Sequence, residues 1–198
     1  MKCLLALALL LIAAHPAPPP EVLAHSIPPI GAMSPLVTQD NLASTVCAPA
    51  PSPGAPTWIH RQRPPTSWTN RLKRELFRRI GIPNPTAAQM RSVEGDHAIA
   101  IQDGGLNAAP ADPRHPTQAD VDRALTNFWL QPWNAPMGAT SKDMGIEDTI
   151  HAELCGSHGH PPTITLSQVP AEYARWRAAY IAQMPGLPTP PAAHLHPH

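Results

Sequence analysis

The chain has 198 residues, with 14 basic and 14 acidic side chains that cancel at pH 7 when histidine is neutral. That length leaves room for one domain of ordinary size plus tails. Of its 28 prolines, thirteen fall between residues 16 and 65, which argues against regular helix or sheet there and for an extended linker. Met1-Lys2 is a short basic start, and Leu4 to Ala14 is an apolar run too short to span a bilayer as a membrane helix. Residues 1–24 therefore read as a secretory signal, cut after Ala14 or Ala24, and the protein is expected to be secreted or periplasmic with no membrane segment after cleavage. An uncut anchor is the alternative. Residues 25–56 read as a Pro/Ala-rich, poorly ordered linker, residues 57–184 as the folded domain, and residues 185–198 as a disordered Pro/His-rich tail.

Within the domain, the spacing predicts a helix over 66–80, with Leu72, Leu76 and Ile80 on one stripe and Gly81 and Pro83 ending it. Ala98-Ile-Ala-Ile101 reads as a short buried strand closed by a Gly104-Gly105 turn. A helix over 117–127 has Thr117 as its cap. A helix over 142–154 has Ser141 as its cap, with Ile146, Ile150 and Leu154 facing inward and Gly156 at its end. A last helix over 169–184 carries Val169, Tyr173, Trp176 and Tyr180 at near-helical spacing. The fold class expected is α+β, mostly helical, with one short hairpin.

Asp96-His97 is the pair with the most chemistry. A carboxylate can hold a hard divalent cation through oxygen, and an imidazole can take a proton from water near neutral pH. On the 142–154 helix, Asp143, Glu147 and His151 stack at spacings of four, about 100° from the apolar stripe. A second signal is charge. Eight of the 14 basic residues lie between 61 and 91, opposed there only by Glu75. Arg71, Lys73, Arg74, Arg78 and Arg79 on the first helix are the candidate contacts to a phosphate backbone, read without sequence preference. A solvated helix face would give the same pattern. Removing the leader leaves two cysteines, Cys47 and Cys155. An oxidising compartment favours pairing them, with two free thiols as the alternative.

The order Asp96-His97, Gly104-Gly105, Asn127-Phe-Trp-Leu-Gln-Pro-Trp133 resembles the HNH endonuclease family, whose ββα-metal fold grips one ion between a β-hairpin and a helix. Residues 60–182 look similar to a secreted bacterial HNH-like subgroup. The likeness extends through Arg63-Pro-Pro-Thr-Ser-Trp-Thr-Asn-x-Leu-Lys73 and the Lys142-Asp…Glu…His…Cys-Gly156 segment. The resemblance implies a metal-dependent endonuclease acting on nucleic acid, DNA rather than RNA. His97 would be the general base, and Asn127 would orient its ring through the side-chain amide. Asp96 and His151 would hold one divalent ion, Mg²⁺ by expectation, with Mn²⁺ or Zn²⁺ as alternatives. The pattern departs at Gln102, where a Glu is expected, at Asp103, where an apolar residue is expected, and in the long connection 106–126. A non-catalytic exported protein of the same fold, binding nucleic acid or an envelope partner, is the alternative reading.

Overall fold

A two-stranded antiparallel hairpin lies between two helical layers of the computed structural model, which describes residues 18–107, 109–110, 112, 114–132, 145–157 and 159–183. Strand β1, Val93–His97, pairs with β2, Phe128–Pro132, in a register that sets His97 opposite Phe128 and Asp96 opposite Trp129. About half of the described residues are helical, and with the hairpin they make an α+β fold. Helix α1 is Pro20–Leu23, α2 is Trp58–Gln62, α3 is Thr66–Arg79 and α4 is Ala87–Ser92. After β1 come α5, Gln118–Leu125, and, beyond β2, α6, Ile146–Cys155, and α7, Val169–Gln183.

Side chains alternate across a strand, so the hairpin presents a different set to each layer. Phe128 and Leu130 face α3 and α5 and pack against Trp68, Leu72, Phe77 and Val121, all buried. Trp129 faces the other way. Its ring stands edge-on to Tyr180 at 5.4 Å and to Trp176 at 6.4 Å, which pins α7 to the opposite face. Each such fully buried large apolar side chain contributes roughly 1.5–3 kcal/mol. Gly95 permits this packing. A Cβ there would meet Phe128 Cζ at 2.3 Å and Lys73 Cγ at 3.0 Å, so only glycine lets α3 and Phe128 close over β1.

Three expectations match in position: α3 fills 66–79, α5 starts behind Thr117, whose hydroxyl accepts from Asp120 N at 3.2 Å, and α7 buries Val169, Tyr173, Trp176 and Tyr180. Helix α6 keeps Ile150 and Leu154 buried and ends at Gly156, but it begins at Ile146 behind Gly145. The proposed Ser141 cap, with Lys142 and Asp143, lies outside the described residues, as do 1–17 and the 185–198 tail.

Two expectations need correction. The strand lies at 93–97, not at 98–101, where the chain bends into a 3-10 turn, Ile101–Asp103. Ala98 to Ile101 are all buried as expected of the apolar run. A short apolar run carries no periodicity that separates strand from buried loop. The segment read as a poorly ordered linker, 25–56, and the end of the leader before it supply buried residues to the core between Val22 and Val46. Val22 is fully buried against Phe77, Val93 and Leu130. Val37, Leu42 and Val46 join the layer built on α7, so the core is not confined to 57–184. Proline restricts this segment to turns and extended backbone, but extended backbone with well-spaced valines and leucines can still cover a core.

Candidate functional site

β1 ends in a pocket of about 200 Å³ whose walls include Glu94, Asp96 and His97 from the strand, Glu147 from α6, and Arg63 and Thr69 from the α2–α3 region. Asp96 and His97 start from opposite faces of the hairpin and meet at this pocket because the chain leaves the strand immediately after them. Asp96 Oδ1 accepts from the His97 backbone N–H at 2.8 Å, which turns the carboxylate back along the chain. The His97 ring rests edge-on against Phe128, with centroids 5.7 Å apart and planes at 85°. Imidazole and carboxylate thus share one pocket, each held by its own local contact.

Asn127 is fully buried beside this site, and its amide is occupied on every side. Oδ1 accepts from Ile99 N at 2.9 Å and Ala32 N at 3.3 Å, while Nδ2 donates to Ile99 O at 3.0 Å and Leu106 O at 2.9 Å. An amide offers two donors and two acceptor lone pairs, so these four bonds saturate it. The expected bond from this amide to the His97 ring is therefore replaced by bonds to main chain. Asn127 shapes the loop that follows His97, not the imidazole itself. Gly105 belongs to the same arrangement. A Cβ there would lie 2.0 Å from Ile99 O, so the loop closes only over glycine. Gly104, with φ 86°, turns the chain into that closure.

His151 occupies a different place from the one the helix spacing suggested. Its Nδ1 lies 3.0 Å from Gln102 O and 3.4 Å from Asp103 Oδ1, so the ring seals α6 onto the 101–103 turn. Asp103 is fully buried and accepts from Tyr173 Oη at 2.6 Å; Tyr173 Oη in turn accepts from Ala100 N at 3.2 Å. Burial raises the Asp103 carboxyl above its ordinary range, against the opposing pull of His151 and Tyr173. The Asp103 carboxylate raises the His151 imidazole, with desolvation acting the other way. Tyr173 is pushed up by burial and then by Asp103. Asp103, where the HNH-like resemblance led us to expect an apolar residue, is thus the hub of a buried polar cluster. The α6 side chain that lines the pocket is Glu147, one turn before His151.

The sequence reading missed Glu94 as part of the pocket. It stands two residues before Asp96, and the strand period places it on the same face. That signal becomes legible only once the strand is set at 93–97. Asp96, Glu94 and Glu147 offer the hard oxygen donors that suit Mg²⁺ or Mn²⁺. Among the described residues, no three His, Cys, Asp or Glu side chains are gathered around one point as a ready cation site.

Of the basic candidates on α3, most have partners within the protein. Lys73 Nζ donates to Met90 O at 2.6 Å and Val93 O at 2.8 Å, closing the turn from α4 into β1. Burial draws its ammonium below the usual lysine range, while Glu94 pulls the other way. Arg78 pairs with Glu75 through two bonds of 2.8 and 2.7 Å, and Arg79 bridges Glu75, at 2.9 Å, and Asp122. These partners hold Glu75 down at about 2. Arg71 leans over Trp68 at 5.9 Å and reaches Pro116 O at 3.5 Å; Arg74 is exposed. The solvated-face reading therefore fits Arg78 and Arg79, and Lys73 is a structural tie. Cys47 and Cys155 are joined in a disulfide with Cα atoms 5.3 Å apart, across a sequence separation of 108.

No protein-family model matches the chain, and searches of curated proteins and of solved structures return no match.

Proposed function

We propose that the protein is an exported, metal-dependent endonuclease that hydrolyses phosphodiester bonds of nucleic acid, DNA rather than RNA, without strong sequence preference. The observation that carries this reading is that His97, Asp96, Glu94 and Glu147 line one pocket together with Arg63. Phosphodiester hydrolysis needs a base for the attacking water and positive charge where the phosphate oxygens gain negative charge. His97 takes the proton from water at its imidazole. Asp96 and Glu147 are the residues that would hold a divalent cation, Mg²⁺ or Mn²⁺ given their oxygen donors. The bound ion would supply the charge that three carboxylates would otherwise deny an anionic substrate. Asn127 fixes the main chain after His97 and so keeps the base at the pocket mouth. The Cys47–Cys155 bridge supports export, since disulfides persist in oxidising compartments. Among the described residues no helix is long and apolar enough to cross a membrane.

The test is nicking of supercoiled plasmid by the oxidised protein in Mg²⁺, Mn²⁺, Zn²⁺ or EDTA, with His97→Ala alongside. The expected result is metal-dependent nicking that falls by about 10²-fold or more in the variant, the scale of general-base catalysis. A folded protein that nicks with none of these ions would defeat the enzyme reading and leave the exported, non-catalytic binding role.

A further inference from the structure

The pocket at the end of β1 does not stop there. A second cavity of about 430 Å³ shares Thr69, Glu94 and Gly95 with it and continues along α3 past Asn70 to Arg91. The two form one groove running beneath α3, with Arg63 at one end and Arg91 at the other. Both arginines are exposed, and no carboxylate among the described residues pairs with either. They differ in this from Arg78 and Arg79, which Glu75 and Asp122 neutralise. The β1 backbone at Gly95 lines both cavities, with Phe128 and Lys73 packed over the position its side chain would take. Asn70 adds an amide able to donate to phosphate oxygens, while the Thr69 hydroxyl is spent on Thr66 O at 3.0 Å.

We propose that this groove is the track for a polynucleotide strand. Arg63 takes the phosphate that lies against His97, and Arg91 takes a phosphate further along the same strand. The inference rests on the nuclease reading for the chemistry at His97 but not for the track itself. Two cations at opposite ends of one groove suit a chain of phosphates, whereas a lone nucleotide needs only one of them. Guanidinium is the appropriate group, since its fork matches phosphate oxygens in two parallel bonds. Glu94, Asp96 and Glu147 repel an anion at the Arg63 end, so occupancy there depends on a divalent cation. Occupancy at the Arg91 end depends on it less. The interface therefore moves from the basic C-terminal turns of α3 to the groove below its N-terminal half.

The experiment is fluorescence anisotropy of a labelled 12-residue phosphorothioate oligodeoxynucleotide, which resists cleavage, bound to the full oxidised chain. It is run in Mg²⁺ and in EDTA across a salt series, with Arg63→Gln, Arg91→Gln and Arg78→Gln. Removing one phosphate contact should weaken binding by about 5- to 10-fold and lower the salt slope by about one. We expect this for Arg63→Gln in Mg²⁺ and for Arg91→Gln in both buffers, with Arg78→Gln within about twofold of the parent. Melting temperatures of the three variants, measured in parallel, should match the parent and show that the fold is intact. Unchanged affinity in both groove variants, or an equal loss in Arg78→Gln, would overturn the track. A mononucleotide, thymidine 3′,5′-bisphosphate, that competes as well as an unlabelled 12-mer would overturn the strand in favour of a nucleotide site. The two readings fail separately. Oligonucleotide binding with the expected losses but no plasmid nicking leaves the track and removes the nuclease. His97-dependent nicking with no effect of Arg63 or Arg91 does the reverse.

Discussion

Replacing Asn127 by alanine removes an amide that holds four main-chain groups. Ile99 N and Ile99 O are buried and have no water to turn to; Ala32 N and Leu106 O are only partly buried. A buried polar group stripped of its partner costs about 1–3 kcal/mol, and one that can rehydrate costs about 0.5–1.5 kcal/mol. Two of each gives roughly 3–9 kcal/mol, and relaxation of the loop places the expectation near the middle, about 5 kcal/mol. In a domain of this size each kcal/mol moves the melting temperature by about 2–4 °C, so Asn127→Ala should melt roughly 10–20 °C lower. Asn127→Asp should be no milder, since it keeps both acceptors but turns a carboxylate oxygen toward Ile99 O and Leu106 O. The assay is thermal unfolding followed by circular dichroism, with His97→Ala as the companion. A side chain that only steered the His97 ring would cost activity and leave the melt within about 2 °C of the parent. That result would refute the structural role assigned to the amide.

Three other outcomes are expected. Reducing Cys47–Cys155, or replacing both by serine, opens a loop with a sequence separation of 108, which the chain-entropy model values at about 4.7 kcal/mol. The melting temperature should drop by roughly 10–20 °C on that scale, and an unchanged melt in reductant would rule the bridge out as a stabiliser. His151 is raised by Asp103, so its stabilisation is complete below the unfolded histidine value and fades as pH climbs through the higher folded one. Burial raises Asp103 as well, which also favours the folded state at lower pH. Stability should therefore decline from pH 6 to 8 in the parent and more shallowly in Asp103→Asn; parallel urea-midpoint profiles would contradict the pairing. Finally, a leader cut after Ala24 would remove Val22 from its buried place against Phe77, Val93 and Leu130. N-terminal sequencing of exported protein should find the cut on the Ala14 side, and a start at His25 in a stable product would disprove that.

Much of the helical frame was legible in the sequence because apolar residues recur at helical spacing on α3, α5, α6 and α7. Asp96 and His97 were legible as a chemical pair, and the structure sets both on one pocket. The strand was misplaced by five residues because Val93–His97 carries two acids, a glycine and a histidine, a composition that no strand propensity favours. It pairs with β2 because Lys73 ties down its start and Asn127 its exit, and both are side-chain-to-backbone bonds that periodicity does not record. His151 and Glu147 share a helical face, so spacing alone could not say which of them turns to the pocket. That choice was made by Asp103, a buried acid 48 residues upstream that captures the imidazole. The N-terminal segment misled for a simpler reason. Proline density reports the absence of helix and sheet, not the absence of packing.

The bridge between Cys47 and Cys155 bears on timing. The pocket draws its walls from residues 63–69, 94–97 and 147, so it does not exist until the chain has been made past residue 147. Helix α6 brings the last wall, and in reducing surroundings its hold falls to packing against α7 and the 101–103 turn, with no covalent tether at its C-terminal end. Oxidation then fastens α6 to a segment that was synthesised first. The last wall of the pocket is thus held covalently only where the Cys47–Cys155 bridge can form.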